Sequence, residues 1–188
     1  MKVKHLVGAF LCVLGCYACS SPKTEVQSPD GHIKMTLTVD ENGKPFYNVS
    51  VDDSLLIENS AMGFTAANGI ILGEGFQVKN TTFSSEDETW TQPWGENKKN
   101  RNHYNEMAVN LTNEDHVQLT LRFRVFDDGI GFRYEYTVPT VDSLLITDEL
   151  TTFRFHRDGT SWSIPASAET YELLYQQQPI SEVETANT

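Results

Sequence analysis

Beyond residue 19 the chain has no cysteine, because all three, Cys12, Cys16 and Cys19, lie at its start. The remainder therefore has no disulfide framework, thiolate zinc site or cysteine nucleophile, and packing alone must hold its fold. A sustained 3.6-residue apolar period is also missing; the short run from Ser167 to Tyr175 is the one tolerable helix candidate. Basic residues are scarce, with 14 Lys and Arg against 26 Asp and Glu, for a net charge of -12 over 188 residues. A surface of that sign repels phosphates, which argues against nucleic acid as a partner. No G-x-S-x-G elbow occurs and the five histidines are scattered, so neither a hydrolytic triad nor a histidine metal site is supported. Gly73-Glu74-Gly75 lacks the strand-then-helix context of a phosphate cradle and reads as a turn.

The N-terminus is a different kind of sequence. Lys2 and Lys4 precede the apolar run Leu6 to Leu14, which is too short to span a bilayer and has the shape of a signal-peptide core. Export is the expectation, to the periplasm or an outer-membrane-associated position. Val13-Leu14-Gly15-Cys16 resembles a lipobox, and Tyr17-Ala18-Cys19 is the competing cleavage point. Lipid on Cys16 or Cys19 would tether the chain through a polar spacer, residues 20–27, and membrane contact would run through that anchor alone. A plain secretory leader over residues 1–19 is the alternative. Three N-x-[ST] sequons, at Asn48, Asn80 and Asn110, carry little weight beside a bacterial-type leader.

From Ser28 the apolar period is two. Ile33, Met35, Leu37 and Val39 alternate with polar residues, Asn42-Gly43 predicts a type I′ hairpin turn, and Tyr47, Val49 and Val51 resume the alternation up to Asp52-Asp53. Leu55 to Ile57, Gly63 to Ala66, Ile70 to Leu72 and Phe76 to Phe83 are weaker strand candidates. Val117 to Val125 and Ile130 to Val138, joined by Asp127-Asp128-Gly129, predict a long antiparallel hairpin, with Met107, Val109 and Leu111 as a neighbour. Leu144 to Ile146, Phe153 and Phe155 continue the series. Many short alternating strands with close turn signals predict an all-β antiparallel sandwich with little helix.

Two polar stretches invite chemistry. Glu86-Asp87-Glu88, and Glu169 with Glu172 around Tyr171, offer oxygen ligands for a hard cation such as calcium; by residue type a solvated acidic loop is the favoured reading. Trp94-Gly-Glu-Asn-Lys-Lys-Asn-Arg-Asn-His-Tyr-Asn-Glu106 reads as a connection between strands. Either Arg101 pairs with Glu106 while His103 and the asparagines satisfy backbone groups, or Trp94 and Tyr104 stack on a sugar whose hydroxyls bond the amides.

The order of motifs adds a resemblance. Asp87-Glu-Thr-Trp90, Pro93-Trp-Gly-Glu96, Arg101-Asn-His-Tyr-Asn-Glu106, the run Phe123 to Glu135, Ile146-Thr-Asp-Glu149 and Trp162-Ser-Ile-Pro165 resemble the N-terminal domain of glycoside hydrolase family 97. The resemblance implies a β-super-sandwich of galactose mutarotase-like type over residues 28–180, with 181–188 as a truncated linker toward an absent (β/α)8 barrel. It implies α-glucosidase or α-galactosidase chemistry on α-linked glycosides, as in starch utilisation, with the catalytic acid and base on the barrel and no catalysis by this chain alone. It also implies that Glu172 serves as a ligand to a Ca²⁺ ion bound only with the barrel present. Trp94, Glu96, Arg101, Asn102, His103, Tyr104, Asn105 and Glu106 become a structural signature, with Arg101, His103 and Glu106 as interior bonds facing the barrel. The family often carries an aspartate in the loop where this chain has Ala166-Ser167-Ala168. A stand-alone, membrane-anchored carbohydrate-binding or scaffold module is the alternative.

Overall fold

The computed structural model describes residues 23–139, 141–165, 167, 169–170 and 172–183, apart from the side chain of Asn68. The leader with Cys16 and Cys19, the positions Ala166, Ala168 and Tyr171, and residues 184–188 of the expected linker lie outside the described residues.

The first sheet is an antiparallel meander of β1 (Glu25–Gln27), β2 (Ile33–Val39), β3 (Pro45–Val51) and β4 (Ser54–Ala61). The second orders β6 (Gln77–Thr91), β7 (Lys99–Thr112), β8 (Gln118–Phe126) and β9 (Ile130–Thr137) in the same way. Two short pairs complete the set: β5 (Phe64–Ala66) with β10 (Ile146–Glu149), and β11 (Thr160–Ser163) with β12 (Gln176–Pro179). The expected all-β sandwich is present.

Alternation places Met35, Leu37, Tyr47 and Val49 from the first sheet against Met107, Val109, Leu119, Leu121, Phe123 and Val125 from the second, all buried in one cluster. The rings of Tyr47 and Phe132 meet across it at 5.5 Å. Its tyrosine hydroxyls are satisfied from the rim. Tyr47 donates to the Thr152 carbonyl at 2.9 Å, Tyr134 accepts from the Gly63 N–H at 3.2 Å, and Tyr136 donates to the Leu72 carbonyl. Those bonds fasten the irregular segments to the core, since a buried hydroxyl left unbonded would be costly. Burial pushes the Tyr136 hydroxyl well above its ordinary pKa, so it stays a neutral donor.

Three expectations are corrected. The Asn42-Gly43 turn is not type I′: only Gly43 has positive φ (75°), and its N–H bonds the Asp40 carbonyl at 3.0 Å. The Asp40 carboxylate, accepting from the N–H groups of Asn42 and Lys44, holds this longer three-residue form. Gly43 is also the required residue, because an added Cβ would sit 2.3 Å from the Phe76 nitrogen. The two-residue turn with positive φ throughout occurs one hairpin later, at Asp52 (48°) and Asp53 (59°), between the paired Val51 and Ser54.

Among the described residues between Ser167 and Tyr175 none is helical. Ser167 Oγ accepts from the Thr170 N–H and Thr170 Oγ1 from the Glu172 N–H, local bonds that compete with helix. Finally, Glu86-Asp87-Glu88 is no loop but part of β6, and the second half of the Trp94 to Glu106 stretch is β7, not a connection.

Leu121, fully buried at the centre of the second sheet, is the simplest probe of this core. Leu121→Ala is expected to lower unfolding free energy by about 2–5 kcal/mol, read as a lower urea midpoint with an unchanged slope.

Candidate functional site

β7 is longer than the strand beside it. Its pairing with β8 begins at Tyr104 opposite Phe126, whereas its pairing with β6 continues outward through Asp87↔His103 to Thr91↔Lys99. Residues 87–91 and 99–103 therefore form a two-stranded ribbon beyond the sheet, closed by the loop 92–98. No residue of the ribbon is buried, because neither of its faces meets a core, which is why apolar alternation could not find it.

Cross-strand polar pairs hold the ribbon together. Arg101 forks onto Asp87, Nε to Oδ1 at 2.7 Å and Nη2 to Oδ2 at 2.8 Å, and Asn102 Nδ2 donates to Glu88 Oε1 at 3.0 Å. The bond to Arg101 holds the Asp87 carboxyl below its ordinary pKa. Within the loop, Gln92 Nε2 donates to the Asn97 carbonyl at 3.0 Å and the Gln92 N–H to the Lys98 carbonyl at 3.1 Å. Gly95 has φ of 108°, and a Cβ there would meet Gln92 Nε2 at 2.7 Å. The loop thus holds Trp94 out in solvent, 82% exposed, with Glu96 exposed beside it.

At the ribbon's root, on the sheet face opposite the core, the polar groups become shielded from solvent. Glu106, 7% exposed, takes Arg122 Nη1 on Oε1 at 2.5 Å and Arg124 Nε on Oε2 at 2.7 Å. Arg122 also forks onto Glu135, at 2.9 and 3.1 Å, and Arg133 reaches Glu135 Oε1 at 2.7 Å. The network crosses β7, β8 and β9. Arg124 lies 4.4 Å over the Tyr104 ring, which packs on Phe126 at 5.3 Å. Asn105 Nδ2 donates to the Gln27 carbonyl at 2.9 Å, tying β7 to β1. His103 Nδ1 is shielded from solvent 3.5 Å from Asp127 Oδ2, near enough for charge attraction and too far for a good hydrogen bond.

The signature therefore divides. Glu106, Tyr104, Asn105 and His103 are buried or half-buried; Glu106 and Asn105 make the expected bonds, whereas His103 Nδ1 has no hydrogen-bond partner. Arg101 pairs with Asp87, not with Glu106, because residues five apart on one strand point to opposite faces. Tyr104 is buried beneath Arg124 while Trp94 is free, so the two do not make a shared sugar platform. Arg122, Arg124 and Glu135, Glu106's network, went unassigned in the sequence; their signal was polar residues at alternate positions opposite the core face, meaningful only once the register was known.

Glu172 is exposed in an irregular segment. Among the described residues no group of three or more His, Cys, Asp or Glu is arranged to hold a metal. Large apolar side chains surround this part of the chain in sequence: Phe153, Phe155, Trp162, Leu173, Tyr175 and, at 88% exposure, Leu174 are all exposed.

These features define an all-β sandwich module with a polar outer network, a projecting ribbon and a lone candidate metal ligand. The family model described as Glycosyl-hydrolase 97 N-terminal matches residues 26–188, and the chain belongs to that family. It is 29% identical over 133 residues to a retaining alpha-galactosidase of Bacteroides thetaiotaomicron, covering 70% of this chain and 19% of that protein. Among solved structures, a glycoside hydrolase family 97 enzyme of Pseudoalteromonas sp. strain K8 in complex with panose matches with a TM-score of 0.75 and 34% identity over 84% of this chain and 25% of its own. A structure of a family 97 enzyme from the same strain in complex with acarbose gives 0.74 and 35%, covering 82% and 24%. A beta-arabinopyranosidase gives 0.70 and 25%, covering 81% and 26%. The chain spans about a fifth to a quarter of the relatives it matches.

Burial pushes the Glu106 pKa up, but the bonds from Arg124 and Arg122 outweigh it and hold the carboxyl below its ordinary value. Arg122, with Arg133, draws Glu135 down from 4.5 to about 2. Depressed carboxyls stabilise the fold above their unfolded pKa and lose that contribution as pH falls through the folded one. Urea midpoints are thus expected to drop between pH 4.5 and about 2. Glu106→Gln should cost about 1–3 kcal/mol at pH 7 and progressively less toward the bottom of that window.

Proposed function

We propose that this chain is the N-terminal sandwich of an exported family 97 glycoside hydrolase acting on α-linked glucosides or galactosides, with a folded unit that takes in β1 (Glu25–Gln27), ahead of the expected start at residue 28. In this reading the sandwich packs on a (β/α)8 barrel that carries the catalytic acid and base, and it is not catalytic alone. One observation carries the reading: the family match takes in nearly the whole chain, while the chain answers to only 19–25% of glycosidase-type relatives. The exposed side chains from Phe153 to Tyr175 support it, since apolar surface of that kind is usually covered by a partner.

Calcium needs six to eight oxygens, and among the described residues Glu172 belongs to no group of three or more His, Cys, Asp or Glu that could hold a metal. The residues fit the ion only as a single donor completing a set held elsewhere. Glu172 would hold one coordination position, and its segment, tied by the Ser167 and Thr170 turns, would set the carboxylate's reach. Bound calcium would supply fixed positive charge near the substrate. Cys16 or Cys19 would carry the lipid that holds the enzyme at the membrane. A stand-alone carbohydrate-binding module is less favoured, because Tyr104 is buried and the side-chain amides of Gln92, Asn100 and Asn102 are spent on the Asn97 carbonyl and on Glu88.

In a polypeptide joining this chain to a family 97 barrel, Glu172→Gln is expected to weaken calcium binding by about tenfold or more in calorimetry, with a parallel loss of glycosidase activity. An unchanged calcium affinity would remove the assignment. The chain alone is expected to show no heat of binding with malto-oligosaccharides.

A further inference from the structure

The ribbon is the feature the proposed role leaves unexplained. Two-stranded β-ribbons are marginal in water without a third strand or a surface to lie on, yet this one is stiffened along its length and ends in an outward Trp94. Part of its polar surface is already committed: Arg101 to Asp87, Asn102 to Glu88, and Gln92 and Asn100 to the Asn97 carbonyl. The large surfaces left for a ligand are apolar, Trp94 at 82% exposure and Trp90 at 50%, beside the exposed side chains of Glu96, Asn97, Lys98 and Lys99. A sugar subsite needs polar groups free to bond hydroxyls beside the aromatic ring; a protein socket needs a preorganised tryptophan with its neighbours self-satisfied. Charge points the same way. Glu86, Asp87, Glu88 and Glu96 are nearly balanced by Lys98, Lys99 and Arg101, in a chain of net charge -12.

We propose that the β6–β7 ribbon is a docking arm whose Trp94 seats in an apolar socket on the catalytic domain of the same polypeptide. This rests on the proposed function for the existence of that domain, and on the three quarters of each solved relative that lies outside the match. The arm adds an anchor beyond the exposed Trp162 and Leu174. Its rigidity limits the ordering cost of docking.

Hydroxyl-radical footprinting with mass spectrometry, on this chain alone and on the polypeptide extended through a family 97 catalytic domain, tests it. Trp94 oxidation is expected to slow by about tenfold in the extended form, the protection typical of a residue at the centre of an interface. In the extended form, Trp94→Ala should speed proteolytic cleavage within the ribbon while Trp94→Phe restores resistance. Equal Trp94 oxidation in both forms with Trp162 and Leu174 protected would overturn the arm and leave the proposed function standing. Equal oxidation at all three would overturn both. Protection of Trp94 in the chain alone, by malto-oligosaccharide or by raised protein concentration, would assign the ribbon to a sugar or to a second copy and also overturn the arm.

Discussion

Everything distinctive in this domain follows from the mismatch in length between β7 and β8. Over the stretch where the two pair, β7 turns Met107, Val109 and Leu111 into the core and Glu106 outward to Arg122 and Arg124. Beyond Tyr104 it has only β6 for company. One strand thus carries the packing that holds the sandwich, the ionic network that closes its outer face, and the arm that leaves it. Glu106 sits where these regimes meet. Removing its charge would leave two guanidiniums facing each other beside a buried tyrosine, a far larger disturbance than the loss of an exposed pair.

Much of the fold was legible because burial writes itself into alternation. β2, β3, β8 and β9 each have one face on the core, and their apolar residues recur every second position. The ribbon was illegible for the same reason reversed: with no core to face, residues 87–91 and 99–103 show no period, and a run of charges and asparagines resembles loop. Turn chemistry was legible at the level of place and not of type. Asn42-Gly43 does turn the chain, but the Asp40 side chain selects the geometry, and Asp52-Asp53 adopts the double positive φ that asparagine-glycine is better known for.

Site residues divide along similar lines. Which residues matter was visible in the density of Trp94 to Glu106; which residues they touch was not, because cross-strand partners depend on register. Arg101 found Asp87 from the far strand, and Glu106 found arginines sixteen and eighteen positions on. By residue type Glu172 was one of several carboxylates able to meet a hard cation, and only the family resemblance singled it out.

A sandwich with a well-packed core and large apolar side chains left exposed is the physical picture that emerges. Membership of the glycoside hydrolase family 97 N-terminal family accounts for both halves of that picture. The decisive measurement is an experimental structure of the complete polypeptide, read for the solvent exposure of Leu174 and Trp162. The account predicts that both side chains, open here at 88% and 66%, are buried against the catalytic domain. Finding them still facing solvent would contradict it.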